Sequence, residues 1–284
     1  MGTAPPSTPV GSRRRTGFVH QVARALPLPA GAGMARMLVE RNLRAYRNGW
    51  VTIVSGFFEP VFYLFSLGVG VGALVGDVRL DDGTVVAYAA FVAPAFLASS
   101  AMNGAVFDST FNVFFKLRYA KLYDSVLATP LGPRDVAVGE ISSALLRGLV
   151  YSVAFFVVAV AAGLVSSWWA VLALPAASLI GFAFAAVGMA ATTFMRSFVD
   201  FDYVQLAILP MFLFSTTLYP LSTYSEPLQW VVRCTPLYHG VSLVRDLMLG
   251  HPHPGLLGHV AYLVAMGALG VVVASRRLDA LLLR

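Results

Sequence analysis

Six apolar stretches of membrane-spanning length follow one another along the chain, separated by polar or proline-broken segments. They lie near residues 51–75, 88–112, 138–163, 169–194, 203–220 and 256–275. Because a helix needs about 20 consecutive apolar residues to cross the hydrocarbon core of a bilayer, each stretch predicts one transmembrane helix. The pattern therefore predicts an all-α integral membrane protein with six transmembrane helices.

The segment before the first stretch mixes apolar and basic residues. Residues 33–49 can place Met37, Leu38 and Tyr46 near one face of a helix, and arginines supply the charge. Such a pattern predicts an amphipathic helix lying along the membrane surface. A solvated basic linker is the alternative.

The loop between the second and third stretches predicts a short helix over Tyr119–Ala128. Thr129 and Pro130 end it, because the residue before a proline is pushed out of helical geometry. Pro133 suits the first turn of the third transmembrane helix. Four apolar residues of the short helix have no evident cover within the chain, which favours a docking partner over a mere connector: Leu122, Tyr123, Val126 and Leu127.

Residues 221–255 are apolar in part, but prolines and glycines break them too often for a membrane span. We expect two short amphipathic helices here, in or dipping into the interface opposite the termini. Such a segment would cover the outer mouth of whatever the spans enclose.

Composition agrees with a chain whose solvent is mostly lipid. Apolar residues make up 58% of the chain, mean hydropathy is +0.74 and charged residues make up only 12%. These values leave room for one membrane domain, residues 31–284, and no sizeable soluble domain. Residues 1–30, rich in proline, glycine and serine, are expected to form a disordered cytoplasmic tail.

The basic residues indicate orientation rather than a nucleic-acid partner, although the net charge is +6. Eight arginines precede the first span, and further basic residues lie between spans two and three, after span four and at the C-terminus. In a six-span topology all these segments share one face, whereas the other face receives only Arg79, Arg233 and Arg245. The positive-inside rule therefore places both termini in the cytoplasm.

The chain carries little that could hold a cofactor. Cys234 is its only cysteine, which excludes an intrachain disulfide, and neither Lys116 nor Lys121 belongs to a Walker A motif. His251 and His253 flank a proline with no carboxylate close in sequence, a pattern more typical of ordinary loop residues than of a metal site. We expect no metal and no bound cofactor.

Ionisable residues at similar depth inside the first three predicted spans are Glu59, Asp108 and Arg147. At 1.5 Å per residue each lies roughly 10–14 Å from the cytoplasmic boundary. A charge at this depth needs a partner, a cavity or water, so we expect Arg147 to pair with Glu59 or Asp108. Two interpretations stay open: a polar cluster on a translocation path, or a structural ion pair.

Several separated motifs resemble the type-2 ABC exporter permeases. They are Phe91 to Gly104, the loop Lys116 to Pro130, the segment starting at Val138, Pro210 to Leu221, and Thr235 to His239 with Arg245. Within that family the chain is most similar to the branch of nodulation lipo-oligosaccharide exporters, and next to the daunorubicin-resistance permeases. The similar region runs from about residue 35 to the C-terminus.

The resemblance implies a permease dimer in a bacterial inner membrane, with two separate ATPase subunits that bind ATP and Mg²⁺. It identifies residues 33–49 as a connecting helix, Tyr119–Thr129 as a coupling helix and 222–249 as outer re-entrant helices. The implied contacts with the ATPase are Leu122, Tyr123, Asp124, Val126, Leu127, Thr129, Pro130 and the following acidic residue, Glu140. The expected residues of the translocation path or polar cluster are Glu59, Asn103, Asp108, Arg147, Phe212 and Tyr219.

One segment departs from the family pattern. Ser215, Thr216 and Thr217 stand where relatives often have a Ser-Gly pair before the outer aromatic and proline residues. A stiffer outer gate at Tyr219 would follow from this departure.

The function expected from these observations is outward movement of an amphipathic substrate, such as a glycolipid or lipo-oligosaccharide. A drug-efflux permease of the same family is the nearest alternative. An ion-coupled secondary transporter would use Asp108 or Glu59, but the sequence shows no inverted repeat. A membrane-embedded enzyme would need a nucleophile, base or metal set that the sequence does not assemble.

Overall fold

The structure, a computed structural model, describes residues 35–46, 58, 60–80 and 83–282. Outside the described part lie residues 1–34, 47–57, 59, 81–82 and 283–284. The predicted tail and most of the first half of span one fall in these segments. The elements, in chain order, are α1 Ala35–Tyr46, α2 Pro60–Val75, β1 Asp77–Arg79, β2 Val85–Ala87, α3 Tyr88–Arg118, α4 Leu122–Leu127, α5 Pro133–Ala161, α6 Ala173–Thr192, α7 Asp200–Leu213, α8 Glu226–Cys234, α9 Pro236–Leu249 and α10 Leu256–Leu282.

Helix α3 lies at the centre of the bundle. It packs against α5, α6 and α9, and α10 packs along α6. Small residues permit the close crossing of α3 and α5, since a methyl group added at Gly148 would lie 3.0 Å from the carbonyl oxygen of Ala101. Close backbone approach at glycine is the usual way in which helices associate in a membrane.

Four helices of the described residues are long and apolar enough to cross a membrane: α3, α5, α10 and α6 with the 3₁₀ turn Trp168–Leu172 that precedes it. These helices match predicted spans two, three, six and four. Helix α2 is a shorter apolar helix in the region of span one. The chain is thus a largely helical, multi-pass membrane protein, and the count of six spans stays a prediction.

Helix α3 is longer than predicted. It extends past residue 112 to Arg118. Its second half contains two π-helical segments, Asp108–Asn112 and Phe115–Tyr119. The helix continues past residue 112 because Val113 and Phe114 are buried in the bundle. Helix α5 begins at Pro133 as predicted, and the Asp135 carboxylate accepts a hydrogen bond from the Gly132 N–H.

The predicted extent of span five, 203–220, is wrong at its outer end. Helix α7 has 14 residues and ends at Leu213. The chain then forms a turn over residues 214–219, in which Thr216 has φ +56°. The Ser215 hydroxyl donates to the Met211 carbonyl, which occupies an acceptor of the last helical turn. We call residues 214–219 the post-α7 turn.

The largely helical fold contains one short element that the sequence pattern does not predict. Strands β1 and β2 form an antiparallel hairpin between α2 and α3, with Val78 opposite Val86. Gly83, at φ +87°, supplies the positive backbone angle near its tip. The sequence signal is weak because each strand has only three residues.

The predicted surface helix and the two outer helices are present as α1, α8 and α9. Helix α1 packs against α5, with Leu38 and Val39 buried. Helix α9 is more deeply packed than a surface helix, because it lies between α3, α6 and α10 and buries nine residues. It therefore belongs to the core of the protein.

Candidate functional site

Glu140 lies at the meeting point of four elements and is 2% exposed. Its Oε2 accepts hydrogen bonds from Lys116 Nζ at 2.7 Å and from Asn42 Nδ2 at 3.0 Å. Its Oε1 lies 3.6 Å from an Arg41 guanidinium nitrogen. Lys116 and Arg41 thus place two positive charges beside this buried carboxylate, and Asn42 adds a hydrogen-bond donor.

Asn42 connects the same carboxylate to its neighbours. The Asn42 amide donates to Ser143 Oγ at 2.9 Å, and its oxygen accepts from Lys116 Nζ at 3.3 Å. Tyr123 of α4 is buried beside this cluster. Burial raises the pKa of the Tyr123 hydroxyl well above its usual value, and the charge of Glu140 raises it further. We call Arg41, Asn42, Lys116, Tyr123, Glu140 and Ser143 the Glu140 junction; it joins α1, α3, α4 and α5.

Helix α4 is shorter than the predicted Tyr119–Ala128 segment, and its cover differs from the expectation. Tyr123 and Val126 are buried by the protein itself rather than left open, and Leu122 is half-buried. The argument that these residues lack cover is therefore wrong for Tyr123 and Val126. Thr129 and Pro130 are exposed, and the side chains of Asp124 and Leu127 lie outside the described part.

A groove does remain between α1 and α4. Its volume is about 280 Å³, and its accessible lining is mostly apolar. The groove is lined by Met37, Leu38, Arg41, Leu122, Ser125, Val126, Thr129 and Leu131. Met37 is 66% exposed, so the groove opens to the outside on the same side as the Glu140 junction.

The Asp108–Arg147 ion pair lies inside the bundle, on α3 and α5. Arg147 Nη2 is 3.4 Å from Asp108 Oδ1, and both residues are buried. The Asn112 amide also donates to Asp108, and the guanidinium lies 5.8 Å from the centre of the Phe107 ring. The pairing of Arg147 with Asp108 is confirmed, whereas Glu59 lies outside the described residues.

The other predicted path residues are not gathered around this pair. Asn103 is half-buried on α3, about 7.5 Å along the helix from Asp108 at 1.5 Å per residue. Phe212 stacks on Phe96 with ring centres 6.2 Å apart. Tyr219 is in the post-α7 turn, 4.9 Å from the Tyr224 ring.

A second pocket, of about 580 Å³, lies beside Tyr219 and the hairpin; we call it the outer pocket. Its lining is apolar along α2 and α3 and polar at the hairpin and the segment after α7. The lining residues are Leu67, Val71, Val75, Asp77, Val78, Arg79, Tyr88, Leu218, Tyr219, Pro220, Ser222 and Thr223. The volume falls within the usual range of about 300–1,000 Å³ for small-molecule sites.

Sequence reasoning missed most of the Glu140 junction. The sequence pattern places Asn42 in a basic surface segment and Lys116 in a loop. It gives no reason to assign Ser143 to a site. The spacing of Glu140 and Ser143 does predict that the two side chains lie close together, because residues three apart share one face of a helix. Among the described residues, no group of three or more His, Cys, Asp or Glu could hold a metal ion.

The comparisons with known proteins agree on one family. The family described as "ABC-2 type transporter" matches residues 35–249. The chain is 32% identical over 258 residues to "Nodulation protein J" of Rhizobium leguminosarum bv. viciae, which covers 88% of this chain and 97% of that relative. "Nodulation protein J" of Sinorhizobium fredii is 33% identical over 261 residues, 89% of this chain and 97% of the relative.

Proposed function

Because the chain belongs to the ABC-2 type transporter family, we propose that it is the membrane permease subunit of an ATP-driven exporter. The observation that carries this proposal is the family match together with the absence of a Walker A motif from the sequence. A permease without its own ATP site needs a separate ATPase. In this proposal two ATPase subunits bind ATP and Mg²⁺, and the permease binds no cofactor.

The proposed membrane arrangement has six spans within one permease domain, residues 31–284, and both termini in the cytoplasm. Helices α3, α5, α6 and α10 supply four spans, and the regions of α2 and α7 supply the other two. The distribution of arginines supports this orientation. The bacterial inner membrane is the proposed location, since the relatives reported above come from bacteria.

The groove between α1 and α4 is the proposed docking site for the ATPase. It lies on the predicted cytoplasmic side, and the Glu140 junction directly beneath it joins α4 to α1, α3 and α5. A movement of α4 imposed by the ATPase would displace Tyr123, which is buried beside Glu140. It would thereby reach the charge-assisted hydrogen bonds that join α1 and α3 to α5. In this role α4 is the coupling helix and α1 the connecting helix.

We predict that Met37→Glu sharply reduces binding of the ATPase. Met37 is largely exposed, so the new charge costs little in the isolated permease, but docking would bury it in an apolar groove. The expected loss is at least about tenfold in captured ATPase, equivalent to about 1.4 kcal/mol. The measurement is copurification with a co-expressed candidate ATPase subunit.

Ser197→Glu is the matched control, because it adds the same charge to an exposed loop after α6, outside the groove. It should leave capture unchanged. Full capture by the Met37→Glu variant, with both variants present in the membrane in equal amounts, would contradict docking at the groove.

The proposed assembly contains two permease subunits that meet at α7. Helix α7 has no buried residue, and three of its apolar side chains are more than half exposed: Tyr203, Leu206 and Leu209. It contacts the rest of the described chain through α9 and through the rings of Phe201 and Phe212, which pack on α3. A second copy of this chain would cover α7 and its neighbouring aromatic residues Phe111 and Phe198.

A cysteine at position 206 should therefore form a crosslink between two copies. In a Cys234→Ser background, Leu206→Cys is expected to give a covalent dimer with a short thiol crosslinker in membranes. Leu269→Cys on α10 is the control, because the two leucines are similarly exposed: Leu269 is 66% exposed and Leu206 is 69% exposed. Equal dimer from both positions, or an adduct with a different permease instead, would contradict a homodimer at α7.

The proposed substrate is an amphipathic molecule, a glycolipid or lipo-oligosaccharide, moved outward. Two observations support this choice: the relatives named "Nodulation protein J", and the outer pocket, which combines apolar walls with Asp77, Arg79 and Ser222. Phe212 and Tyr219 offer apolar surface that suits such a molecule. Drug efflux is the alternative that a transport measurement would separate.

A further inference from the structure

Thr216 adopts a backbone conformation that threonine rarely tolerates. Its φ of +56° lies in the left-handed region, and among the described residues only Lys121 shares this property without being glycine. A β-branched side chain is especially unfavourable there. Thr216 is nevertheless buried, as are Ser215 and Thr217 on either side. The surrounding structure must therefore hold this conformation in place.

The contacts that hold it come from Arg245 of α9. Its guanidinium Nη2 donates to the Thr216 carbonyl at 2.6 Å, and Nη1 donates to the Thr216 hydroxyl at 3.2 Å. Both groups belong to the strained residue itself. A planar guanidinium can make two such bonds in fixed directions, which a lysine ammonium cannot.

Arg245 is itself fixed by the central helix α3. Its Nε donates to the Phe91 carbonyl at 3.3 Å, and the guanidinium lies 4.0 Å from the centre of the Phe91 ring. Arg245 is 8% exposed and does not line the outer pocket. One buried side chain thus connects α9 and α3 to the post-α7 turn.

The residues that follow Thr216 form one edge of the outer pocket. Leu218, Tyr219 and Pro220 line it directly. The turn has other supports, since Ser215 Oγ is 3.0 Å from Thr235 Oγ1 and Tyr224 donates to the Leu213 carbonyl at 3.1 Å. Among the hydrogen bonds of the described residues, only those from Arg245 reach both the carbonyl and the hydroxyl of Thr216; Tyr224 makes a further contact with the Thr216 backbone.

We propose that Arg245 is a positioning residue: it holds Thr216 in the left-handed conformation and thereby sets the position of the outer-pocket edge formed by Leu218, Tyr219 and Pro220. The conformational part of this proposal stands on geometry alone. Its relevance to substrate exit rests on the proposed function.

The test separates backbone strain from a simple loss of contacts. Glycine adopts positive φ without steric cost, whereas alanine does not. Arg245→Gln should therefore loosen the post-α7 turn strongly with Thr216 present and weakly with Thr216→Gly. Thr216→Ala is the matched control, because it removes the same hydroxyl as glycine but keeps the Cβ that makes the conformation unfavourable.

The measurement is hydrogen–deuterium exchange of the peptide covering residues 214–221 in the purified, full-length protein without ATP or substrate. We expect Arg245→Gln to accelerate exchange about tenfold relative to the parent. In the Thr216→Gly background, Arg245→Gln should accelerate exchange less than about threefold. In the Thr216→Ala background, Arg245→Gln should again accelerate exchange about tenfold. If Arg245→Gln is too unstable to purify, Arg245→Lys replaces it in all three backgrounds, with the same order of effects.

Equal acceleration in the glycine and alanine backgrounds would overturn the proposal, as would unchanged exchange in Arg245→Gln. Capture of the ATPase is measured separately for each variant, because no residue of the post-α7 turn lines the groove between α1 and α4. Loss of capture by the parent protein would count against the proposed function and leave the exchange result intact.

Discussion

Replacing Glu140 with leucine is expected to lower the stability of the protein by about 3 kcal/mol. Removing one member of a buried ion pair typically costs about 3–5 kcal/mol, because the other member is left buried and uncompensated. The lower end applies here, since Lys116 keeps some contact with solvent at 19% exposure. The measurement is thermal unfolding of the detergent-purified protein, together with the amount recovered as a single species.

A second change separates charge from shape. Adding Lys116→Met to Glu140→Leu removes the stranded ammonium, and should recover much of the lost stability. Binding of the ATPase should recover less, because the hydrogen bonds through which Glu140 joins α1 and α3 to α5 beside α4 are still absent. Glu226→Gln, at an exposed acid of α8, is the control and should change neither quantity. A stable, fully coupled Glu140→Leu protein would refute the role given to the junction.

Replacing Arg147 with alanine is the second change with a large expected effect. It leaves Asp108 buried among α3, α5 and α6 without its cationic partner. An unpaired charge at membrane depth costs about 2.5–3.5 kcal/mol on the insertion scale. Part of this cost is offset by Asn112, which donates to the same carboxylate. We therefore expect less folded protein, measured as the monodisperse fraction after solubilisation.

The neutral pair Asp108→Asn with Arg147→Gln decides between the two interpretations of this ion pair. If it serves only to hold α3 and α5 together, the double variant should regain both protein level and transport. If it belongs to the translocation path, protein level should return while transport stays low. Undiminished protein level with lost transport in Arg147→Ala alone would favour the translocation path. Undiminished protein level with full transport would contradict both interpretations, because the pair would then neither stabilise the protein nor serve the path.

The helices of the fold could be predicted where hydrophobicity and local chain chemistry act together. Proline at position 133 fixed the start of α5, and the apolar runs located α3, α6 and α10 within a few residues. The ion pair of Asp108 and Arg147 followed from depth alone, since a charge in a membrane constrains where its partner can be. These inferences depend on one or two neighbouring elements only.

The remaining features depend on contacts between distant segments. Tyr123 and Val126 seemed uncovered in the sequence because no local pattern showed that other segments of the chain would bury them. Asn42 contacts Glu140 across 98 residues, and no local pattern reports such a pair. The turn that follows α7 contacts Arg245, 29 residues beyond Thr216; apolarity alone predicted that the span continued to 220.

The central claim is best tested by reconstituting the permease and its ATPase together in inside-out vesicles and following a fluorescent acylated oligosaccharide. The account predicts accumulation of this probe inside the vesicles only with ATP, and its loss with a non-hydrolysable analogue or with Met37→Glu. Accumulation driven by an ion gradient without ATP or ATPase would contradict it.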